Sequence, residues 1–192
     1  MFETLRQIDT SIFLYLNGLR SPFLDFVMWW ASNKFIWIPL YAGLLWLLIR
    51  QNGGRVWLLL MMIVLLVLIS DQSANLAKFA FERFRPSNEP LLHGLVHTLR
   101  NYSGGDYGFY SGHASSSFAV AVFVISLAGR RYKWLIPLML FYAIVVSYSR
   151  IYLGVHYPGD ILIGAIAGSI YGFAISRLYL FFRYRSQKQS QI

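Results

Sequence analysis

Residues 149–160 read Ser-Arg-Ile-Tyr-Leu-Gly-Val-His-Tyr-Pro-Gly-Asp and join two long apolar segments. They place a cation (Arg150), an imidazole (His156) and a carboxylate (Asp160) where lipid alone tolerates no charge, which indicates a functional site. Pro158 is typical of the first position of a helix, so a helix is predicted to begin here. His156 and Asp160 would then lie one turn apart, an arrangement suited to a nucleophilic or acid–base histidine. The alternative is a snorkelling arginine and an interfacial histidine.

The composition predicts an all-α integral membrane protein. The chain has 192 residues, of which 57% are hydrophobic and 18% aromatic, and its mean hydropathy is +0.50, which is far too apolar for a soluble domain. Cysteine is absent, which excludes disulfides and thiolate metal sites. The formal net charge is +9, but the basic residues stand at the ends of apolar segments. This distribution indicates membrane topology and no nucleic-acid binding.

The hydropathy pattern predicts one membrane domain, residues 1–192, built as a helical bundle of about five transmembrane helices. The N-terminal segment 1–33 is predicted to lie at the interface as one or two helices, and a sixth span there stays open. It has no basic region followed by an apolar core, so it does not resemble a cleavable signal peptide. The predicted crossings are residues 35–49, 56–81, 113–128, 134–147 and 161–182.

Two segments outside the crossings complete the predicted topology. Residues 83–112 are expected to form an extramembrane cap loop, since they are rich in Gly, Asn and Ser. Residues 183–192 are expected to form a basic, frayed cytoplasmic tail.

Two of the crossings carry faces that are predicted to turn toward the bundle interior. Asp71, Asn75 and Lys78 recur at helical spacing in the second crossing. Asp71 is expected to pair with Lys78 or with polar neighbours. The last crossing carries small residues at four-residue spacing, which let a neighbouring helix approach closely: Gly164, Gly168 and Gly172.

Two further stretches carry groups suited to a phosphate. Lys78 is a point charge and Arg85, followed by Pro86, is a planar fork, and together they suit the several oxygens of one phosphate. Ser111-Gly112-His113 opens the third crossing, where the first N–H groups of a helix form an anion cradle. The alternatives are interfacial anchors for the two cations, a helix cap for the serine and an interfacial polar residue for the histidine.

The three stretches occur in order at the ends of consecutive spans as Lys-x6-Arg-Pro, Ser-Gly-His and Ser-Arg-x5-His-x3-Asp. This pattern resembles the type-2 phosphatidic acid phosphatase family of integral membrane lipid phosphatases. The resemblance implies that His156 is the nucleophile, that Asp160 is its partner and that His113 protonates the leaving group. The family's usual residue before Ser-Gly-His is Pro, and here it is Tyr110. The resemblance also implies phosphate binding by Lys78, Arg85, Ser111, Gly112 and Arg150.

The implied reaction is the hydrolysis of a membrane lipid phosphate through a phosphohistidine, with no metal and no cofactor. Candidate substrates are undecaprenyl diphosphate, phosphatidylglycerophosphate, phosphatidate and lipid A. A lipid phosphotransferase of the same fold and a transporter or channel are alternatives, although charges gathered at one membrane face argue against the last. Two histidines with opposite protonation demands predict a bell-shaped pH profile. Membrane lipids are the expected surroundings, and the sequence does not identify a protein partner.

A metal site is the competing interpretation of another stretch. His93 and His97 have a spacing that could bind zinc, with Glu89 nearby. Gly94 disfavours a helix there, and no third ligand is well placed.

The charge distribution predicts which side of the membrane holds the site. One set of turns and the tail carry many basic residues and no acid, which predicts that they are cytoplasmic. The site would then face outward from the inner (plasma) membrane, toward the periplasm in a Gram-negative bacterium. The basic residues are Arg50, Arg55, Arg130, Arg131, Lys133, Arg183, Arg185 and Lys188.

Overall fold

The computed structural model describes residues 2–52 and 56–189, and these residues form seven α-helices and no strand. The predicted all-α membrane bundle is confirmed. The helices are α1 (Phe2–Gly18), α2 (Pro22–Ser32), α3 (Ile38–Asn52), α4 (Val56–Phe81), α5 (Gly112–Ala128), α6 (Leu135–Tyr152) and α7 (Pro158–Gln189).

The membrane-spanning helices differ in length and continuity. Helices α4, α6 and α7 are each long and apolar enough to cross a membrane. Helices α2 and α3 meet this criterion only as a pair, and they are bent by 73° at their junction. Asn33 ends α2, and its side chain accepts a hydrogen bond from Phe35 N at 3.0 Å. The predicted crossing at residues 35–49 is therefore half of a broken element, which is either one bent span or a re-entrant loop.

Helix α5 lies at the centre of the bundle, where it packs against α3, α4, α6 and α7. It is apolar but has only 17 residues. Its contact with α7 is so close that a Cβ on Gly168 would lie 2.0 Å from the carbonyl oxygen of Ser115. At Gly164 a Cβ would lie 2.6 Å from the Ser111 oxygen, and at Gly172 it would lie 2.4 Å from the Ala119 oxygen. The inward glycine face of the last crossing is confirmed.

Helix α1 fastens the cap to the end of α6. Its Phe13 is fully buried and packs edge-on against Tyr157, with 5.4 Å between ring centroids. Its buried Asn17 donates to the carbonyl of Tyr152 at 2.9 Å and accepts from His97 N at 2.7 Å. The opposite face stays exposed, as expected of an interfacial helix.

The cap, residues 82–111, is irregular apart from two short 3-10 helices, Pro86–Asn88 and Pro90–Leu92. Its two arms pair with each other, since Arg85 N donates to Asp106 O at 3.0 Å and Gly108 N donates to Arg83 O at 2.8 Å. This pairing fixes the backbone at both arginines.

The end of the chain differs from the prediction of a frayed tail beginning at residue 183. Helix α7 continues to Gln189, because the residues that follow the last crossing include no Pro or Gly to stop it. Residues 190–192 of the predicted tail and residues 53–55, between the first two predicted crossings, lie outside the described residues.

Candidate active site

Six of the eight predicted site residues line one cavity of about 370 Å³ at one end of the bundle. They come from the last turn of α4, the cap, the first turn of α5, the last turn of α6 and the turn before α7. The volume is that of a small-ligand site. The six residues are Lys78, Arg85, Gly112, His113, Arg150 and His156.

The three cations predicted to bind phosphate face this cavity without a carboxylate partner, and a fourth cation, Lys34, lines it as well. Within the described residues, no Asp or Glu oxygen lies within 4.0 Å of a side-chain nitrogen of Lys78, Arg85 or Arg150. Like charges held close together are costly unless an anion joins them. The cavity is therefore built to receive a group with several negative charges.

The two arginines are held by backbone carbonyls and neutral side chains. Arg85 donates from Nε to the Tyr107 carbonyl at 3.0 Å and from Nη1 to the Val155 carbonyl at 3.3 Å. Arg150 donates to the Tyr102 hydroxyl at 3.1 Å and to the hydroxyl of Ser32. These partners orient the guanidinium groups and leave their charge unneutralised.

The third predicted phosphate-binding cation, Lys78, does not form the ion pair with Asp71 that was one of the two expectations for Asp71. Its Nζ donates to Asn75 Oδ1 at 3.2 Å, and it forms no ion pair with Asp71 among the described residues. Asp71 is exposed and lines the same cavity. The amide of Asn75 orients the ammonium group and leaves its charge available.

His156 lies in the turn between α6 and α7 and is only 2% exposed. Its Nε2 is 3.4 Å from Arg85 Nη1. Burial and the nearby charges of Arg85, Arg150 and Lys78 lower the pKa of His156 well below its usual range. The imidazole is therefore neutral at physiological pH, as a nucleophile requires.

Asp160 stands beside His156 as predicted, although the two do not form a hydrogen bond. The distance from Asp160 Oδ2 to His156 Nδ1 is 3.6 Å, beyond hydrogen-bonding range. Asp160 is the third residue of α7, and its Oδ2 accepts from Tyr157 N at 3.0 Å in the manner of a capping box. Its Oδ1 accepts from Arg83 Nη1 at 2.8 Å.

The serine of the Ser-Gly-His stretch does not line the cavity. Ser111 is fully buried, and its Oγ accepts from Ala114 N at 3.4 Å as the N-cap of α5. Its own N–H donates to the Asp160 carbonyl at 3.1 Å. Ser111 is therefore not placed to contact a phosphate in the cavity as predicted. In the first turn of α5, Gly112 and His113 do line the cavity.

The zinc ligands considered in the cap do not come together. Glu89 forms an ion pair with Arg6 at 3.0 Å, and His97 lies 3.5 Å from Asp25. In the part of the chain that the structure describes, no three His, Asp or Glu side chains form a metal-binding group.

The sequence did not point to Arg83 or Asp9. Arg83 contacts Asp160 directly, and Asp9 contacts Arg83. Arg83 resembles an ordinary cation at a helix end, and Asp9 lies in the N-terminal segment. The one available signal was the second arginine inside the Lys-x6-Arg stretch.

Known proteins are similar to this chain in both sequence and fold. The family model of the PAP2 superfamily matches residues 54–184. A lipid A 4'-phosphatase of Bacteroides thetaiotaomicron is 40% identical over 176 residues, which cover 90% of this chain and 77% of that protein. An undecaprenyl-diphosphatase of Sulfolobus acidocaldarius is 30% identical over 173 residues, which cover 89% of this chain and 74% of that protein. A solved PAP2-type phosphatidylglycerolphosphate phosphatase from Bacillus subtilis shares the fold, with a TM-score of 0.70 at 21% identity over 91% of this chain and 86% of that one. The chain therefore belongs to the PAP2 superfamily.

Proposed function

We propose that this protein is a membrane lipid phosphatase that transfers the phosphoryl group of its substrate to His156 and then to water. The observation that carries the proposal is that the buried His156 lines the same cavity as Lys78, Arg85 and Arg150, three cations without a carboxylate partner among the described residues. A phosphoryl group in transfer spreads negative charge over three oxygens, and such a set of cations matches that charge.

The first half of the reaction forms the phosphoenzyme. Asp160 lies on the Nδ1 side of His156 and favours the tautomer that carries its proton there, so the lone pair is on Nε2. Nε2 attacks phosphorus as the bond from phosphorus to the lipid oxygen breaks. Lys78, Arg85 and Arg150 hold the phosphoryl oxygens, and His113, as imidazolium, gives its proton to the departing oxygen.

The second half of the reaction releases phosphate. His113 is now neutral and takes a proton from a water molecule, whose oxygen attacks phosphorus. The Nε2–phosphorus bond breaks, and both histidines return to their starting protonation states. An alcohol in place of water would make the protein a phosphotransferase, so measuring free phosphate against phosphorylated acceptor distinguishes the two activities.

No step of this mechanism requires a metal ion, because the positive field comes from side chains of the chain itself. We expect excess chelator to leave the turnover rate within about two-fold of the untreated rate. Loss of a catalytic metal would instead raise the barrier by several kcal/mol and lower the rate by orders of magnitude. Phosphate release by purified protein, with and without chelator, measures this. Complete loss of activity that zinc or magnesium restores would contradict the mechanism.

Lipid A bearing a 4'-phosphate is the first substrate candidate, because the lipid A 4'-phosphatase of Bacteroides thetaiotaomicron is 40% identical over 90% of this chain. Undecaprenyl diphosphate is the second, from the more distant undecaprenyl-diphosphatase. Phosphate release from a panel of both lipids, phosphatidate and phosphatidylglycerophosphate decides between them. We expect the highest kcat/KM for lipid A, and His156→Ala is the matched inactive control.

We further propose that the site faces outward from the inner membrane. The site residues of α4, α5 and α6 lie at one end of the bundle, and the basic turn between α5 and α6 lies at the other. A cytoplasmic location of that turn follows the positive-inside rule. The site would then act on lipid phosphates of the outer leaflet.

A further inference from the structure

Arg83, in the cap, contacts α1, α7 and the turn before α7, next to His156 and Asp160. Its Nη1 donates to Asp160 Oδ1 at 2.8 Å, and its Nη2 donates to Asp9 Oδ2 at 2.7 Å. Its guanidinium also stacks over the ring of Tyr157, 4.0 Å from the ring centroid. Two carboxylates and an aromatic face leave this side chain in one orientation.

Asp9 extends the same connection into the first turn of α7. Its Oδ1 accepts from Gly159 N at 2.8 Å, so that one carboxylate bonds both to Arg83 and to a helix N-terminal amide. A Cβ at position 159 would lie 2.8 Å from Asp9 Oδ2, and only glycine admits this approach without displacement. Helix α1 is thereby tied to the helix that carries Asp160.

The carboxylate of Asp160 needs this partner. Its side chain is fully buried, and a buried carboxylate without a compensating cation is strongly destabilising. His156 Nδ1 has no partner of good hydrogen-bond geometry within the described residues; the Gly108 backbone is close to the ring, and Asp160 Oδ2 lies 3.6 Å away. A small rotation of the Asp160 carboxylate therefore decides whether it accepts a hydrogen bond from Nδ1.

Arg83 does not itself reach the substrate, since it does not line the cavity that holds Lys78 and Arg85. Its guanidinium acts on the catalytic pair through its hydrogen bond to Asp160, which lies beside His156. This separates it from the phosphate-binding cations, which face the cavity directly.

We propose that Arg83 is a positioning residue for phosphoryl transfer, which holds Asp160 so that its second oxygen faces Nδ1 of His156, and that Asp9 of α1 holds Arg83 in turn. The proposal rests on the phosphohistidine mechanism proposed above. It assigns α1 a part in catalysis although no residue of α1 lines the cavity.

Three single variants test the connection. Arg83→Gln should lower kcat by about 10- to 100-fold, by analogy with the loss on removing a residue that orients a metal-bound histidine. Asp9→Asn should lower it less, because Asp160 keeps the guanidinium. Arg6→Gln is the matched control, since it removes another ion pair between α1 and the cap, Arg6–Glu89 at 3.0 Å, which among the described residues shares no hydrogen bond or ion pair with Asp160. It should leave kcat unchanged.

Two further readouts separate positioning from general damage to the fold. The KM for lipid substrate and the inhibition constant of inorganic phosphate should stay near the wild-type values in Arg83→Gln, because the cations of the cavity are untouched. Arg83→Lys should recover part of the lost kcat, since an ammonium can still pair with one carboxylate.

A double-mutant cycle gives the decisive comparison. In an Asp160→Asn background, Arg83→Gln should cost little further kcat, because the group through which Arg83 acts is already gone. If the two losses multiply, Arg83 acts elsewhere and the proposal is overturned. A rise in KM and in the phosphate inhibition constant as large as the fall in kcat would overturn it as well.

Thermal unfolding in detergent shows whether Arg83→Gln folds. If it does not fold, Asp9→Asn replaces it as the test variant. In that case an Asp9→Asn kcat equal to that of Arg6→Gln overturns the proposal. Failure of the mechanism itself is distinguishable, because His156→Ala would then retain activity and the wild-type protein would form no phosphoenzyme.

Discussion

At the scale of single residues, the two histidines of the cavity meet opposite demands. In the proposed mechanism His156 attacks as a neutral ring, and burial beside three cations lowers its pKa well below the usual range. His113 is proposed to give up a proton, and it lies in the first turn of α5 on the same cavity. Because a bound phosphate brings negative charge next to His113, while Lys78, Arg85 and Arg150 stay close to His156, we expect the substrate to favour the imidazolium form of His113.

His113→Ala tests the division of roles. For a lipid alcohol as leaving group we expect a loss of about 10²- to 10⁴-fold in kcat, the usual contribution of a general acid. For an acidic aryl leaving group the loss should be much smaller, because the departing oxygen needs no proton. Steady-state rates on both substrates measure this, with the exposed cap residue His93→Ala as the control. Equal losses on both substrates would contradict the role of His113.

The residue types and their spacing predicted most of the site, because they report chemistry that is local to helix ends. Lys78, Arg85, His113, Arg150 and His156 are brought together as the three stretches indicated. The contact between Asp9 and Arg83 spans 74 positions of the chain and depends on the docking of α1. No local pattern reports such docking, which explains why both residues were missed.

At the scale of elements, the contact between α5 and α7 places the two histidines relative to each other. His113 begins one of these helices and His156 precedes the other, so their separation depends on how closely the two backbones pack. The four-residue glycine spacing predicted this contact because a period in the sequence maps directly onto one helix face. The bend between α2 and α3 was not predicted. It depends on Asn33, which ends α2 and also caps the start of the short 3-10 helix Lys34–Trp37 that leads into α3.

Gly168→Ala tests that contact. The added Cβ would meet the Ser115 carbonyl oxygen, a backbone atom that cannot rotate away, so the helices must separate. We expect a loss of about 1–3 kcal/mol in the free energy of unfolding, as for other overpacked sites, and a lower kcat. Thermal unfolding and turnover in detergent measure both.

Gly43→Ala in α3 is the matched control, because a Cβ there meets nothing within 4 Å. It should be neutral or slightly stabilising, since alanine favours a helix more than glycine does. Equal unfolding temperatures for the two variants would contradict the close α5–α7 contact.

At the scale of the whole molecule, the distribution of charge predicts its orientation. The turn between α5 and α6 carries Arg130, Arg131 and Lys133, and the cap at the other end carries Glu89 and Asp106. An alkaline phosphatase fused near Leu95 should be active, because the cap would be outside the cytoplasm. The same reporter fused after Lys188 should be inactive. The reverse pattern would overturn the proposed orientation and the substrate pool that goes with it.

The covalent intermediate tests the proposed mechanism most directly. Wild-type protein should be mixed with a lipid labelled in its phosphate, quenched in alkali, where phosphohistidine survives, and mapped by mass spectrometry. We expect one labelled residue, His156, with no label in His156→Ala and accumulation of the label in His113→Ala when the leaving group is acidic. Turnover by His156→Ala at the wild-type rate, or a label on any other residue, would contradict the assignment of His156 as the nucleophile.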